Sequence, residues 1–208
     1  MPVKVIAGCS ATGRAPAAVA VGARPLALHP ALTFTGTEID LPRLAGCVFG
    51  VTVGDAERAL AEQLVADLGG RPFWVPEEKR ALYHAGLAHG ANHLVTLVTE
   101  AMEILSASGV DDPAGTLRPL LTAALDNALE HGDAALTGPI VRGDLGTVRA
   151  HLVDLRANAP QSVGSYVALA RATLDRAVTD GRVLPIRARR ILELLDAATA
   201  QKSVRETR

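Results

Sequence analysis

At Val75-Pro76 the periodicity of this 208-residue sequence changes, and the change limits what the chain can become. Before it stand short β-like runs, each closed by a turn residue. VKVIAG (3–8) ends in glycine and RPLALH (24–29) ends at Pro30. GCVFGVTV (46–53) alternates and ends at Gly54-Asp55, and RPFWV (71–75) ends at Pro76. After it the apolar residues recur at helical spacing throughout. Between the last two β-like runs lies AERALAEQLVADLGG (56–70). Its Leu60, Leu64, Val65 and Leu68 follow a helical face, and Gly69-Gly70 stops the helix. Asp55 is placed to cap it. Strand, helix, strand with tight connections is a βαβ unit, with a right-handed crossover.

Beyond Pro76 the spacing predicts a long helix over 77–108, with Leu94, Val98, Ala101, Met102 and Leu105 on one stripe. Gly86 and Gly90 fall inside it, where each costs ~1 kcal/mol relative to alanine, so they point to a close neighbour, a kink or a break. Further helices are expected at 114–131, 144–158, 161–180 and 185–200. Gly132, Gly138-Pro139, Pro160 and Gly181 separate them, and Gln201 to Arg208 read as a frayed tail. The organisation is therefore an α/β portion over 1–75, a helical domain over 76–200 and a tail over 201–208. Apolar residues make up 49% of the chain but aromatics only 3%, so the core is built of small side chains, which suits closely packed helices.

Charge excludes some partners. The net charge is −1 with both signs interspersed, which leaves no footprint for nucleic acid or a membrane surface. No apolar segment approaches the ~20 residues of a membrane span. Cys9 and Cys47 form no CxxC, and MPVKVIAG is too short and too soon broken by glycine to be a signal peptide. A cytoplasmic protein without a disulfide framework is expected.

Three stretches carry polar groups of interest. In RPLALHPALTFTG (24–36) an apolar run stops at His29-Pro30, and a loop with Thr33, Thr35 and Gly36 follows, which reads as the edge of a pocket. In YHAGLAHGANHL (83–94) three histidines and an asparagine share one helix. His89 and His93 are four apart on one face, but Gly90 stands where the zinc metalloprotease motif has glutamate, and no third ligand is evident. They read as a polar stripe with Thr96 and Glu100, and no metal is expected. His84 and Asn92 are two turns apart along one side, roughly 12 Å, among Ala85, Ala88 and Ala91. In LTGPIVRGDLGTVRAHL (136–152) Asp144 is a helix cap, and Thr137-Gly138 forms either an anion-binding turn or a plain interhelical loop. A dinucleotide fingerprint is missing: the one candidate turn, GCSATG (8–13), lacks the G-x-G-x-x-G spacing, and no acidic residue ends a second strand about 20 residues on.

Taken in order, RPLALHPALTFTGT, GCVFGVT, DLGGRPFWVP, YHAGLAHGANHLVTL and LTGPIVRGDLGTVRAHL resemble a family of bacterial, actinobacterial-type oxidoreductases. Members carry a Rossmann-like domain followed by a helical domain of unknown function. The helical part is similar to the C-terminal domains of the 6-phosphogluconate dehydrogenase superfamily. The resemblance implies a partial Rossmann-like α/β layer followed by an all-α bundle, an NADP or NAD cofactor, and reduction of a small 2-keto acid such as ketopantoate, or of an imine. It implies a homodimer formed through the helical domain. It places the active site beside the long helix, bordered by His29, Pro30, Thr33 and Phe34. Asn92 matches the superfamily's helix asparagine. The lysine acid that many relatives carry one turn earlier is here Ala88, which leaves His84 as the acid. Thr137-Gly138 resembles the loop that holds a substrate carboxylate. VKVIAGCSATG resembles the strand facing the nicotinamide ribose, with Cys9 and Ser10 at its tip. Most of the cofactor half that precedes this strand in relatives is not in the sequence, so a non-catalytic dimerising module that has lost that half is the rival expectation.

Overall fold

The computed structural model describes residues 3–7 and 24–205, with side chains over 25–199. The Cα packing divides the chain into two units, Met1–Val95 and Thr96–Arg208.

The first unit holds a four-stranded sheet with strands in chain order. β1 (Val3–Ala7) runs parallel to β2 (Arg24–Pro30), β2 antiparallel to β3 (Val48–Thr52), and β3 parallel to β4 (Arg71–Trp74). Between β2 and β3 lies only a four-residue helix, α1 (Asp40–Arg43). A parallel return needs a crossover that spans the sheet; none is built here, so β3 comes back alongside β2 in the opposite sense. Between β3 and β4 runs α2 (Arg58–Asp67), which completes the βαβ unit that the sequence spells out. Alternate residues of the two central strands point to one face, so Leu26, Leu28, Phe49 and Val51 meet Ala61 and Val65 of α2 in a closed core. Gly69, at φ +72°, ends α2 in the left-handed region, and the Gly70 N–H donates back to the Val65 carbonyl at 3.0 Å. The cap at Asp55 is not formed. The chain enters through a 3₁₀ turn at Asp55–Glu57, the cap position falls to Glu57, and Asp55 instead pairs with Arg58 at 3.4 Å.

The long helix, α3 (Arg80–Ala107), follows a 3₁₀ turn at Glu77–Lys79. It is continuous through Gly86 and Gly90, and among the described residues a Cβ at either would meet nothing within 4 Å. The division between units falls within α3, later than the change of texture at Val75-Pro76, because Tyr83 and His84 pack their rings against His29 of the sheet.

In the second unit α3 is followed by α4 (Pro113–His131), α5 (Pro139–Arg142), α6 (Leu145–Asn158), α7 (Val163–Thr179) and α8 (Pro185–Arg205). Asp112 caps α4 by accepting from the Gly115 N–H at 2.8 Å. Asp144 caps α6 as expected, accepting from the Thr147 N–H at 3.0 Å. Val148 and Leu152, Val167 and Leu174, and Ile191 and Leu195 bring three helices into one core. The Arg182 guanidinium ties the turn after α4, donating to the carbonyls of Asp133 at 2.7 Å and Leu136 at 2.9 Å. α8 continues to Arg205 rather than ending at 200. Helix α3 buries none of its residues and α4 buries only Leu117. Among the described residues no helix is long and apolar enough to cross a membrane.

Candidate functional site

The antiparallel pairing of β2 with β3 sets the site. His29 lies directly opposite Gly50 in that register. A Cβ at Gly50 would come within 2.5 Å of the Tyr83 ring, so the bare glycine is the slot in which Tyr83 sits. Tyr83 stacks on Phe73 at 6.2 Å and 22°, and turns its edge to His29 at 6.3 Å and 87°. His84, the next residue on α3, also lies edge to face with the first imidazole, at 5.5 Å and 82°. His29 thus contacts both an aromatic stack and a second imidazole. Gly50→Ala pushes a methyl into the Tyr83 ring. We expect it to cost about 1–3 kcal/mol in urea unfolding, with the larger Gly50→Val costing more.

A cavity of ≈ 340 Å³ opens from this pair. His29, Thr33 and Phe34 line it from the end of β2 and the loop beyond; His84, Leu87 and Asn92 line it from α3. Ala88, where relatives are expected to carry lysine, is in the same wall. The loop is fixed by Asp40, a buried carboxylate of α1. It accepts from the N–H groups of Thr35 and Gly36, both at 2.8 Å, and from the Thr35 hydroxyl at 3.0 Å. Burial alone would push this carboxyl up, but the hydrogen bonds from Thr35, Gly36 and Thr37 outweigh it and hold it below the usual range. Burial, and then the charge of His84, lower the pKa of His29 below its ordinary 6.5.

These shifts give a pH dependence of stability. The unfolded chain protonates His29 more readily than the folded one, so stability falls as pH drops from about 6.5 through the lowered folded value. Asp40 is shifted in the same direction at lower pH: its contribution is present above the ordinary 3.8 and is lost only as pH falls through its depressed value. Urea unfolding at a series of pH values should show two separate losses, with the upper one missing in His29→Gln.

Four of the residues singled out in the sequence, His29, Thr33, His84 and Asn92, thus face one cavity. Thr137 and Gly138 belong to the second unit, in the turn before α5. Cys9 and Ser10 lie outside the described residues. His89 and His93 are exposed, with their Nδ1 atoms 2.9 Å apart. Among the described residues no three His, Cys, Asp or Glu side chains converge as a metal site. Gly50, Tyr83 and Asp40 carry no sequence motif. The one available cue is the spacing of Thr35, Gly36 and Thr37 before Asp40, the pattern of a carboxylate folding back onto a turn. Chemically the cavity offers two imidazoles, a hydroxyl and an amide, a set that can orient a small carbonyl compound and exchange one proton with it.

The family model for a domain of unknown function, DUF2520, matches residues 47–173. No curated protein matches the chain significantly. Among solved structures, protein TM1727 from Thermotoga maritima is similar at 23% identity and a TM-score of 0.62, over 74% of this chain and 62% of that one. The "putative NADP oxidoreductase BF3122" from Bacteroides fragilis is similar at 19% identity and a TM-score of 0.68, over 82% of this chain and 65% of that one. The chain thus spans less than two thirds of the length of either. The shared fold is a partial Rossmann-like α/β layer followed by a helical domain.

Proposed function

Since the chain belongs to the DUF2520 family, whose description leaves the activity open, we propose from the site itself that it serves an NAD(P)-linked reductase of a small carbonyl or imine compound in the cytoplasm. A 2-keto acid of the ketopantoate kind is the substrate class. The convergence of His29, His84, Thr33 and Asn92 on one cavity carries this reading.

Among the described residues no glycine-rich turn opens a helix to receive a diphosphate, so the chemistry assigned to this chain concerns substrate and proton. In such a reaction the reduced cofactor, NADPH or NADH, would supply the hydride. Burial and the neighbouring charge disfavour a proton on His29, and we assign the proton-donor role to His84, which faces the same cavity. As the carbonyl carbon gains hydride, His84 gives its proton to the oxygen, which stays on that carbon as the product's hydroxyl, and the imidazole becomes neutral. Asn92 and Thr33 hold the carbonyl compound by hydrogen bonds while Phe34 and Leu87 exclude water. Thr137-Gly138 is the further contact we assign to the substrate carboxylate, and a helical-domain homodimer is the assembly in which it does so. Exposed Leu97, Leu120, Leu125 and Leu129 in the second unit favour that assembly.

The test is NADPH oxidation by the chain with a panel of 2-keto acids and cyclic imines, alongside calorimetry of NADPH binding. Turnover of one member supports the reductase. A dimer in sedimentation with neither binding nor turnover favours the non-catalytic module.

A further inference from the structure

A second cavity, of ≈ 420 Å³, lies in the second unit between the last turns of α3 and helices α6 and α7, and nothing above uses it. Its size is that of a small-molecule site. Ile104, Leu155 and the ring of Tyr166 make the interior apolar, and His151, Asp154 and Asn158 stand at its polar side. Tyr166 and His151 fix one another: the hydroxyl lies 3.0 Å from His151 Nδ1, with the rings edge to face at 5.9 Å and 84°. Burial pushes the Tyr166 hydroxyl up, so it stays protonated.

The electrostatics choose the ligand. Asp154 is the one carboxylate in the lining, and among the described residues neither Lys nor Arg lines it. Two helices also end there, α3 at Ala107 and α6 at Asn158, and each brings the negative end of its dipole, about half a charge. Side chains turn back over both ends: the Ser108 hydroxyl donates to the Leu105 carbonyl at 2.7 Å, and the Asn158 amide to the Asp154 carbonyl at 3.1 Å. An anion entering would face a carboxylate and two carbonyl-rich helix ends. A cation with an apolar body meets attraction from all three, plus the face of Tyr166. We propose that this cavity binds a primary amine carried on an apolar ring or chain, the ammonium group at Asp154 and the body against Ile104, Leu155 and Tyr166. The site lies within one unit and does not depend on the reductase reading.

The probe is 2-phenylethylamine, titrated calorimetrically into the whole chain, with phenylacetate as the same body of opposite charge. Saturable one-to-one binding of the amine is expected, about tenfold weaker in Asp154→Asn and absent in Ala107→Trp, whose indole fills the space. Tyr166→Phe, which preserves the wall, should still bind the amine, and urea unfolding of Ala107→Trp itself reports whether its loss reflects misfolding. Three results would overturn the proposal: phenylacetate binding as tightly as the amine, amine binding indifferent to Asp154→Asn, or no saturation. Amine binding that vanishes as the chain self-associates at higher concentration would assign the cavity to a contact between copies, and overturns it equally.

Discussion

His84→Gln should lower kcat for the carbonyl substrate by roughly 10²–10⁴-fold, the range for loss of a positioned general acid, while leaving KM close to unchanged. Burial disfavours a proton on His29, and the adjacent imidazole reinforces this. His84, which lies edge to face with His29 and faces the same cavity, is the donor assigned to that proton. His29→Gln should behave differently: it removes the group that shapes the cavity wall, raises KM, and shifts the pH profile rather than abolishing turnover. Steady-state kinetics across pH separates the two. Equal losses in both variants would mean that the pair acts as one unit, without the division of labour described here.

Phe49→Ala should destabilise the protein by about 3–5 kcal/mol, as for deletion of a buried aromatic side chain. Phe49 is 2% exposed at the centre of the sheet core. Its ring also rests on Gly70, where an added Cβ would come within 2.3 Å of it, so one side chain joins β3 to the end of α2. The adjacent residue along β3 is Gly50, the slot for Tyr83. Loss of the Phe49 anchor therefore loosens the strand that positions His29. Urea unfolding measures the cost, and a change under 1 kcal/mol would mean that the core relaxes to fill the space.

Local chemistry made part of this readable in advance. Gly54-Asp55 and Gly69-Gly70 bracket a helical face of leucines, and the βαβ unit forms where they put it. Asp144 caps its helix because a carboxylate two or three residues before free N–H groups has few better partners. His29 and Asn92 could be assigned to one hollow only through a family likeness, since nothing local links positions so far apart. What escaped was decided by pairing between distant segments. The antiparallel return of β3 puts Gly50 opposite His29, and no periodicity records the sense in which a strand comes back. Tyr83 carries no local signal, because its place is set by the bare Gly50 under its ring, 33 positions away in the chain. Asp55 misled because the chain makes a 3₁₀ turn first, which moves the helix start to Arg58. Gly86 and Gly90 point to a close neighbour, a kink or a break, yet the helix runs on through both, and among the described residues nothing approaches either.

The most direct measurement is a histidine-resolved NMR titration of the whole chain with a 2-keto acid such as ketopantoate. The account predicts saturable shifts in the imidazole signals of His29 and His84 together, with His29 losing its proton below the ordinary 6.5, and little change at exposed His89 and His93. Shifts confined to the exposed pair, or none at the two cavity histidines under conditions where the acid binds, would contradict it.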